Sequence, residues 1–243
     1  SHNADYCVKK GVGMKWICKE YEQRDEPKSK GKYEDDRIAF FDIEVFPNLF
    51  LVVWKFDGSD KKNYLVNPSA EDIKRLTRLK LIGFNCRRYD NHILYAAACG
   101  FTVHELYSLS KSIIKEQKGF IRAAYGLSYA DIYDFSTVKQ SLKKFEIDLG
   151  MHHQELPLDW NQPVPDDKID LVKEYCGNDV DATEATFHDR EEDFNARCII
   201  AELSGMSPND TTRVCAEQFM FGDDLKPQQS FVYTNLAEQF TGY

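Results

Sequence analysis

The run Phe40-Phe41-Asp42-Ile43-Glu44-Val45 places two carboxylates, two residues apart, inside an otherwise apolar stretch that reads as a buried β-strand. Side chains alternate across a strand, so Asp42 and Glu44 share one face while Phe41, Ile43 and Val45 fill the other. Like charges held side by side against an apolar background repel, and they are costly to desolvate unless a shared cation neutralises them. Mg²⁺ and Mn²⁺ are the hard divalent ions that choose carboxylate oxygens. An Asp-x-Glu strand alone also suits a polar sheet edge, so its meaning depends on carboxylates further along.

Two more follow. Leu81-Ile82-Gly83-Phe84-Asn85 is a short apolar run ending in a polar turn, and Tyr89-Asp90 then opens a segment with Ile93, Leu94 and Ala97 at helical spacing. This puts Asp90 on the inward face of a helix. Ile169, Val172, Cys176, Thr183 and Phe187 trace a second helical stripe, and Tyr175 and Asp179, four residues apart, lie along the same side. Asp181 points away from that stripe and reads as solvated. Each element alone also fits a capped helix or a surface carboxylate, and it is the ordered set that carries information.

The segments Asp42-Ile43-Glu44, Asn85-Cys86-Arg87-Arg88-Tyr89-Asp90 and Tyr175-Cys176-Gly177-Asn178-Asp179 resemble the three motifs of the DEDD superfamily of 3′-to-5′ exonucleases. Glu174 stands where the histidine subclass carries its histidine, whereas Tyr175 matches the tyrosine subclass. That subclass includes ribonuclease D and the proofreading domains of family A and family B DNA polymerases. The stretch from Tyr129-Ala130-Asp131-Ile132-Tyr133-Asp134-Phe135 through Leu142-Lys143-Lys144-Phe145 and Leu149-Gly150 is similar to the family B layout. Residues 201–221 resemble the segment that leads from exonuclease to polymerase in phage or prophage enzymes.

The resemblance implies an α/β fold, a ribonuclease H-like mixed β-sheet flanked by helices. The organisation that goes with it is an N-terminal extension and charged linker (1–36), an exonuclease domain (37–200) and a C-terminal segment (201–243) leading toward a polymerase domain in the same natural chain. It also implies a two-metal mechanism with Mg²⁺ or Mn²⁺, the ions about 3.5–4 Å apart. Asp42 would bridge both ions, Glu44 and Asp179 would complete the site of the water-activating one, and Asp90 would hold the second. Tyr175 would place its hydroxyl near the attacking water. A phenol titrating near 10 is a poor base at neutral pH, so orientation is the role expected of it. The substrate would be a single-stranded 3′ end or primer terminus of DNA, with Asn85 contacting the terminal nucleotide. Phe46 and Phe84 are candidates for stacking on a frayed base, although strand aromatics more often belong to the core. Arg87 and Arg88, beside the second motif, are candidate phosphate contacts. Two alternatives stay open: a stand-alone exoribonuclease like ribonuclease D, and an inactive nuclease fold serving as a scaffold or single-strand binding module.

A net charge of −9 on 243 residues argues against a sequence-independent duplex clamp, which needs lysines and arginines to release counterions. An acidic metal site is compatible with that charge, because bound cations reverse the local sign. Other basic residues, Lys111, Lys115, Lys118 and Arg122, and Lys139, Lys143 and Lys144 on one helix, read as solvated faces. Seven cysteines without Cys-x-x-Cys spacing suit reduced thiols, and with no apolar run of spanning length the expected place is the cytoplasm of a bacterial host or phage-infected cell, away from any membrane. His152-His153 lies in a proline-rich loop, and adjacent histidines point apart, so it reads as no metal site.

The order of elements is expected to begin with a three-strand meander at 38–45, 50–56 and 63–66. A helix opened by the capping box at Ser69 follows, then the strand 81–85 and the helix bearing Asp90. Strands near 103–107 and 119–135 come next, then a helix from Ser136 to Gly150 with Val138, Leu142, Phe145 and Leu149 inward. Residues 201–243 show no compact pattern.

Overall fold

The computed structural model describes residues 33–152 and 154–224, together with Gln229 and Val232. The proposed extension and linker lies almost wholly outside these residues, as do His153 and most of the chain after 224. Five strands form one mixed sheet in the order β3-β2-β1-β4-β5. They are β1 (Ile38–Phe46), β2 (Leu49–Phe56), β3 (Asn63–Val66), β4 (Lys80–Gly83) and β5 (Ala130–Asp131). The first three make the antiparallel meander, while β4 runs parallel to β1 and β5 parallel to β4. The helices are α1 (Ala70–Leu76), α2 (Asp90–Ala98), α3 (Val103–Lys111), α4 (Ile132–Phe135), α5 (Leu142–Asp148), α6 (Ile169–Asp189), α7 (Glu191–Ser204) and α8 (Thr212–Phe221).

Strand alternation divides the core into two layers. Phe41, Ile43 and Val45 face Ile73 and Leu76 of α1, Ile93 and Leu94 of α2, and Leu106 of α3. Phe40 and Phe46 face the other way, with Val172, Cys176, Val180 and Phe187 of α6. Phe40, Phe41, Phe46, Leu49 and Leu51 are essentially inaccessible to water. At about 1.5–3 kcal/mol per buried side chain, this double layer is what holds β1 at the centre of the molecule. Asp42 and Glu44 therefore project into the α6 layer, between Phe40 and Phe46. The sheet pairs Asp42 with Val53 and Glu44 with Leu51, so no polar neighbour on β2 shares their burden.

Several elements differ from the sequence expectation. Residues 103–111 form a helix because Thr102 and Glu105 make a reciprocal capping box, the Thr102 side chain accepting from the Glu105 amide and the Glu105 carboxylate accepting from the Thr102 amide. The stretch 119–135 holds only the two-residue β5, a 3₁₀ turn at Arg122–Gly126 and the single turn α4. The Asp131 carboxylate caps the Tyr133 amide and ends the strand. The helix expected from Ser136 starts only at Leu142, where Ser141 caps the Lys144 amide. Before it, Ser136 bonds the main chain of Val138, and Thr137 is tied to Asp193. Phe145 is buried, whereas Val138 and Leu149 are exposed, and Lys139 is not on the helix of Lys143 and Lys144. Residues 201–221 are ordered: α8 packs on α7. No helix among the described residues is long and apolar enough to cross a membrane.

Candidate metal centre

Three strands deliver the site because their carboxyl ends share one edge. Phe40 is level with Ile82, and Ile82 with Ala130, so the chain beyond them on β1, β4 and β5 carries Asp42 and Glu44, Asn85, and Asp131 to the same side of the sheet. Gly83 lets β4 turn there: a Cβ would lie 2.8 Å from Cys86 Cβ and 2.9 Å from Phe41 Cε1. Asn85 then adopts φ of 56°, a left-handed conformation that asparagine tolerates better than most residues. A short 3₁₀ turn, Cys86–Arg88, leads into α2, whose first residue is Asp90.

Asp131 is the hub of this turn. Its carboxylate accepts from the amides of Asn85 at 2.8 Å, Arg87 at 2.8 Å and Tyr133 at 3.0 Å, so a single buried side chain fixes the path from β4 to Asp90. Burial raises its pKa to about 6, against the lowering effect of those amides. Nothing in its spacing distinguished Asp131 from an ordinary strand-end aspartate.

On the opposite side α6 crosses β1 and β2 and brings Tyr175, Cys176 and Asp179 to the β1 carboxylates. Glu44 is 7% exposed and Asp90 6% exposed. The ligand atoms of Asp42, Glu44 and Cys176 lie within 4.8 Å of one another. The Cys176 thiol donates to Asp42 Oδ2 at 3.4 Å. Tyr175 is hydrogen-bonded to Asp179. Thus the structure brings Asp42, Glu44, Asp90, Tyr175 and Asp179 together, and it adds Cys176.

The electrostatics are those of crowded anions. Burial first, then the charges of Asp179, Asp90 and Glu44, push Asp42 well above the usual carboxylate range. Burial and the charges of Asp179 and Asp90 do the same to Glu44. Asp90 is raised to about 7, chiefly by burial. Tyr175 rises far above an ordinary phenol through burial and the charges of Asp179, Glu44 and Asp42. Among the described residues no lysine or arginine contributes to these shifts. Glu44 is more than nine-tenths buried and has no hydrogen bond among the described residues, which is what a carboxylate built to meet a cation looks like. The donor set, the carboxylates of Asp42, Glu44, Asp90 and Asp179, suits a hard divalent ion.

The substrate-contact candidates separate. Phe46 is fully buried and stacks on Trp160 at 4.6 Å and 15°, so it presents no face to a base. Phe84 is half-buried and meets Tyr133 and Phe145 edge-on. Arg87 donates to the carbonyls of Asn209 and Tyr125, which ties the turn of the second motif to the α7–α8 connection. Arg88 is exposed and unpaired among the described residues. Asp181 points away from the stripe and stays partly exposed, but it is ion-paired rather than free in solvent. Its carboxylate receives Lys55 at 2.7 Å and Lys62 at 2.5 Å, and Lys55, almost fully buried, also meets Glu184 at 2.5 Å.

A second group, Asp57, Glu184 and His188, brings three ligand atoms together at the surface. Its members are already satisfied: His188 with Asp57 at 2.9 Å, and Glu184 with Lys55 and the Gly58 amide. Compared with known proteins, the chain matches no family model, no curated protein and no solved structure.

Proposed function

We propose that the chain is a divalent-metal-dependent 3′-to-5′ exonuclease, the proofreading module of a DNA polymerase, hydrolysing the terminal phosphodiester of single-stranded or mismatched DNA. The observation that carries this reading is the gathering of Asp42, Glu44 and Asp90 beside Asp179, largely out of water, with no lysine or arginine among the groups that set the titration of the first three. A structural role does not account for that arrangement, because mutually repelling buried carboxylates destabilise a fold.

Mg²⁺ or Mn²⁺ bound there would neutralise the phosphate and ionise a water at neutral pH. The remaining work belongs to the chain. Asp42, Glu44, Asp90 and Asp179 hold the ions, and the Cys176 thiol fixes the rotamer of Asp42. Tyr175 keeps its proton, so it orients the attacking water by hydrogen bonding rather than removing a proton from it. Asn85, held by Asp131 at the mouth of the site, meets the terminal nucleotide. The polymerase context is supported by the resemblance of residues 201–221 and by apolar side chains that α7 and α8 leave exposed, Ile199 at 58% and Met220 at 50%.

The test is an end-labelled single-stranded oligodeoxynucleotide incubated with the purified chain and Mn²⁺. A 5′ label is expected to yield a descending ladder and a 3′ label immediate mononucleotide, with EDTA stopping both. Equal degradation of a strand whose 3′ end is blocked overturns the polarity, and preference for the matched RNA strand replaces the DNA reading with that of an exoribonuclease.

A further inference from the structure

Beside the carboxylates, a cavity of about 280 Å³ opens where β4 and β5 end. Asn85 and Arg88 line it from the β4 side, and Asp131, Tyr133 and Lys139 from the β5 side. It lies one to two strand spacings from Asp42, roughly 5–10 Å across the sheet. Its two acids, Asp131, which accepts from three main-chain amides, and Asp134, which Arg197 pairs at 3.5 Å, stand against three cations. None of the three cations is paired with a carboxylate among the described residues. Arg87 and Lys139 donate only to main-chain carbonyls, which leave their charge intact, and Arg88 has no partner among the described residues. The Asn85 side-chain carboxamide and the Tyr133 hydroxyl make no hydrogen bond among the described residues, so neutral donors stand beside the charges. In a chain of net charge −9, this is a local positive basin next to an acidic centre.

We propose that this cavity is a backbone subsite: it takes an internal phosphodiester of a single-stranded nucleic acid, 5′ of the bond held at Asp42 and Glu44. This rests on the exonuclease reading above. A strand whose last linkage sits among the carboxylates must leave across the sheet edge, and the adjoining ground on the β4–β5 side is where charge changes from repelling to attracting a phosphate. Arg88 supplies the free charge, Lys139 the second cation, and Tyr133 a hydrogen bond, with Asn85 at the boundary toward the terminal nucleotide. Arg87, its guanidinium engaged with Asn209 and Tyr125, is a positioning residue for the turn. Recognition of this kind reads phosphate and not base, so the subsite confers length dependence without sequence preference.

The experiment compares wild type, Arg88→Ala and Arg88→Lys on two substrates with Mn²⁺. One is an oligothymidylate on the order of ten nucleotides, long enough to cross the cavity. The other is the p-nitrophenyl ester of thymidine 5′-monophosphate, a phosphodiester with no upstream phosphate. For Arg88→Ala the ratio of kcat/KM between oligonucleotide and ester is expected to fall tenfold or more, through KM, with Arg88→Lys restoring most of it. The salt slope of oligonucleotide binding, read by fluorescence anisotropy in EDTA, should fall by about 0.7 for the lost phosphate contact. An unchanged ratio and slope, or an equal loss on both substrates, overturns the subsite. If wild type hydrolyses neither substrate the exonuclease reading itself fails, and an anisotropy slope unaltered in Arg88→Ala then removes the subsite on its own evidence.

Discussion

Tyr175 keeps its phenol proton because it is partly buried and stands among carboxylates, and that decides how it differs from its neighbours. On the proposed reading, deleting its hydroxyl removes an orienting hydrogen bond, whereas deleting a carboxylate removes a cation ligand. Tyr175→Phe is therefore expected to lower the rate of 3′-end hydrolysis by about 10- to 1,000-fold, and Asp42→Ala or Asp179→Ala by several orders of magnitude. Single-turnover hydrolysis in Mn²⁺ measures both, and a Tyr175→Phe loss as deep as that of Asp42→Ala would make the phenol a ligand or base. At this scale the sequence was most legible where chemistry forbids substitutes. Asp42, Glu44 and Asp90 stand out because carboxylates in apolar surroundings have few explanations. Phe46 was not legible, since an aromatic beside a motif looks the same whether Trp160 or a nucleobase covers it.

The long helix α6 must present Tyr175 and Asp179 to β1 without rotating, and an ion network centred on the buried Lys55 holds its next turns there. Lys55 reaches from β2 to both Asp181 and Glu184, and Lys62 closes the network on Asp181. Asp181→Ala leaves Lys55 paired with Glu184 and is expected to cost about 1 kcal/mol in urea unfolding, while Lys55→Ala leaves Glu184 with the Gly58 amide alone and is expected to cost more, about 2–3 kcal/mol. Asp181→Ala should nevertheless retain most hydrolytic activity, and a loss matching that of Asp179→Ala would show that the two aspartates share one role. The sequence stripe of α6 placed Val172, Cys176, Thr183 and Phe187 inward, as found, because a 21-residue helix repeats its period often enough to be read. It assigned Asp181 to solvent because a partner on a distant strand leaves no trace in helical spacing. The short elements were hardest for the same reason: α3 and β5 are decided by Thr102, Glu105 and Asp131 side-chain caps, and two to nine residues give no period to outvote them.

For the molecule as a whole, the mixed sheet with helices on both faces was readable from the order of strands and helices, and the site from three motifs that only the fold unites. The cost of that union is electrostatic, and it makes stability itself a probe. Asp42, Glu44 and Asp90 titrate higher in the folded protein than in an unfolded chain, Asp90 at about 7, so the folded state binds more protons across the interval between. Their stabilising contribution is complete below about pH 4 and is lost as pH rises through the folded values. His92, buried and lowered below its ordinary value, acts in the opposite sense below pH 6.5, but its ring accepts from the Ile121 amide and packs on Phe120 and Tyr125, and its contribution is common to the series run with and without metal. The decisive measurement is thus thermal unfolding from pH 5 to pH 8, with and without Mn²⁺, for wild type and Asp42→Ala. The metal-induced rise in Tm should grow with pH as cations replace protons, reaching on the order of 5–10 °C at a hundredfold excess over Kd, and should largely vanish in Asp42→Ala. A Tm that Mn²⁺ leaves unmoved at pH 8, or a rise that Asp42→Ala preserves, would contradict a metal centre at these carboxylates.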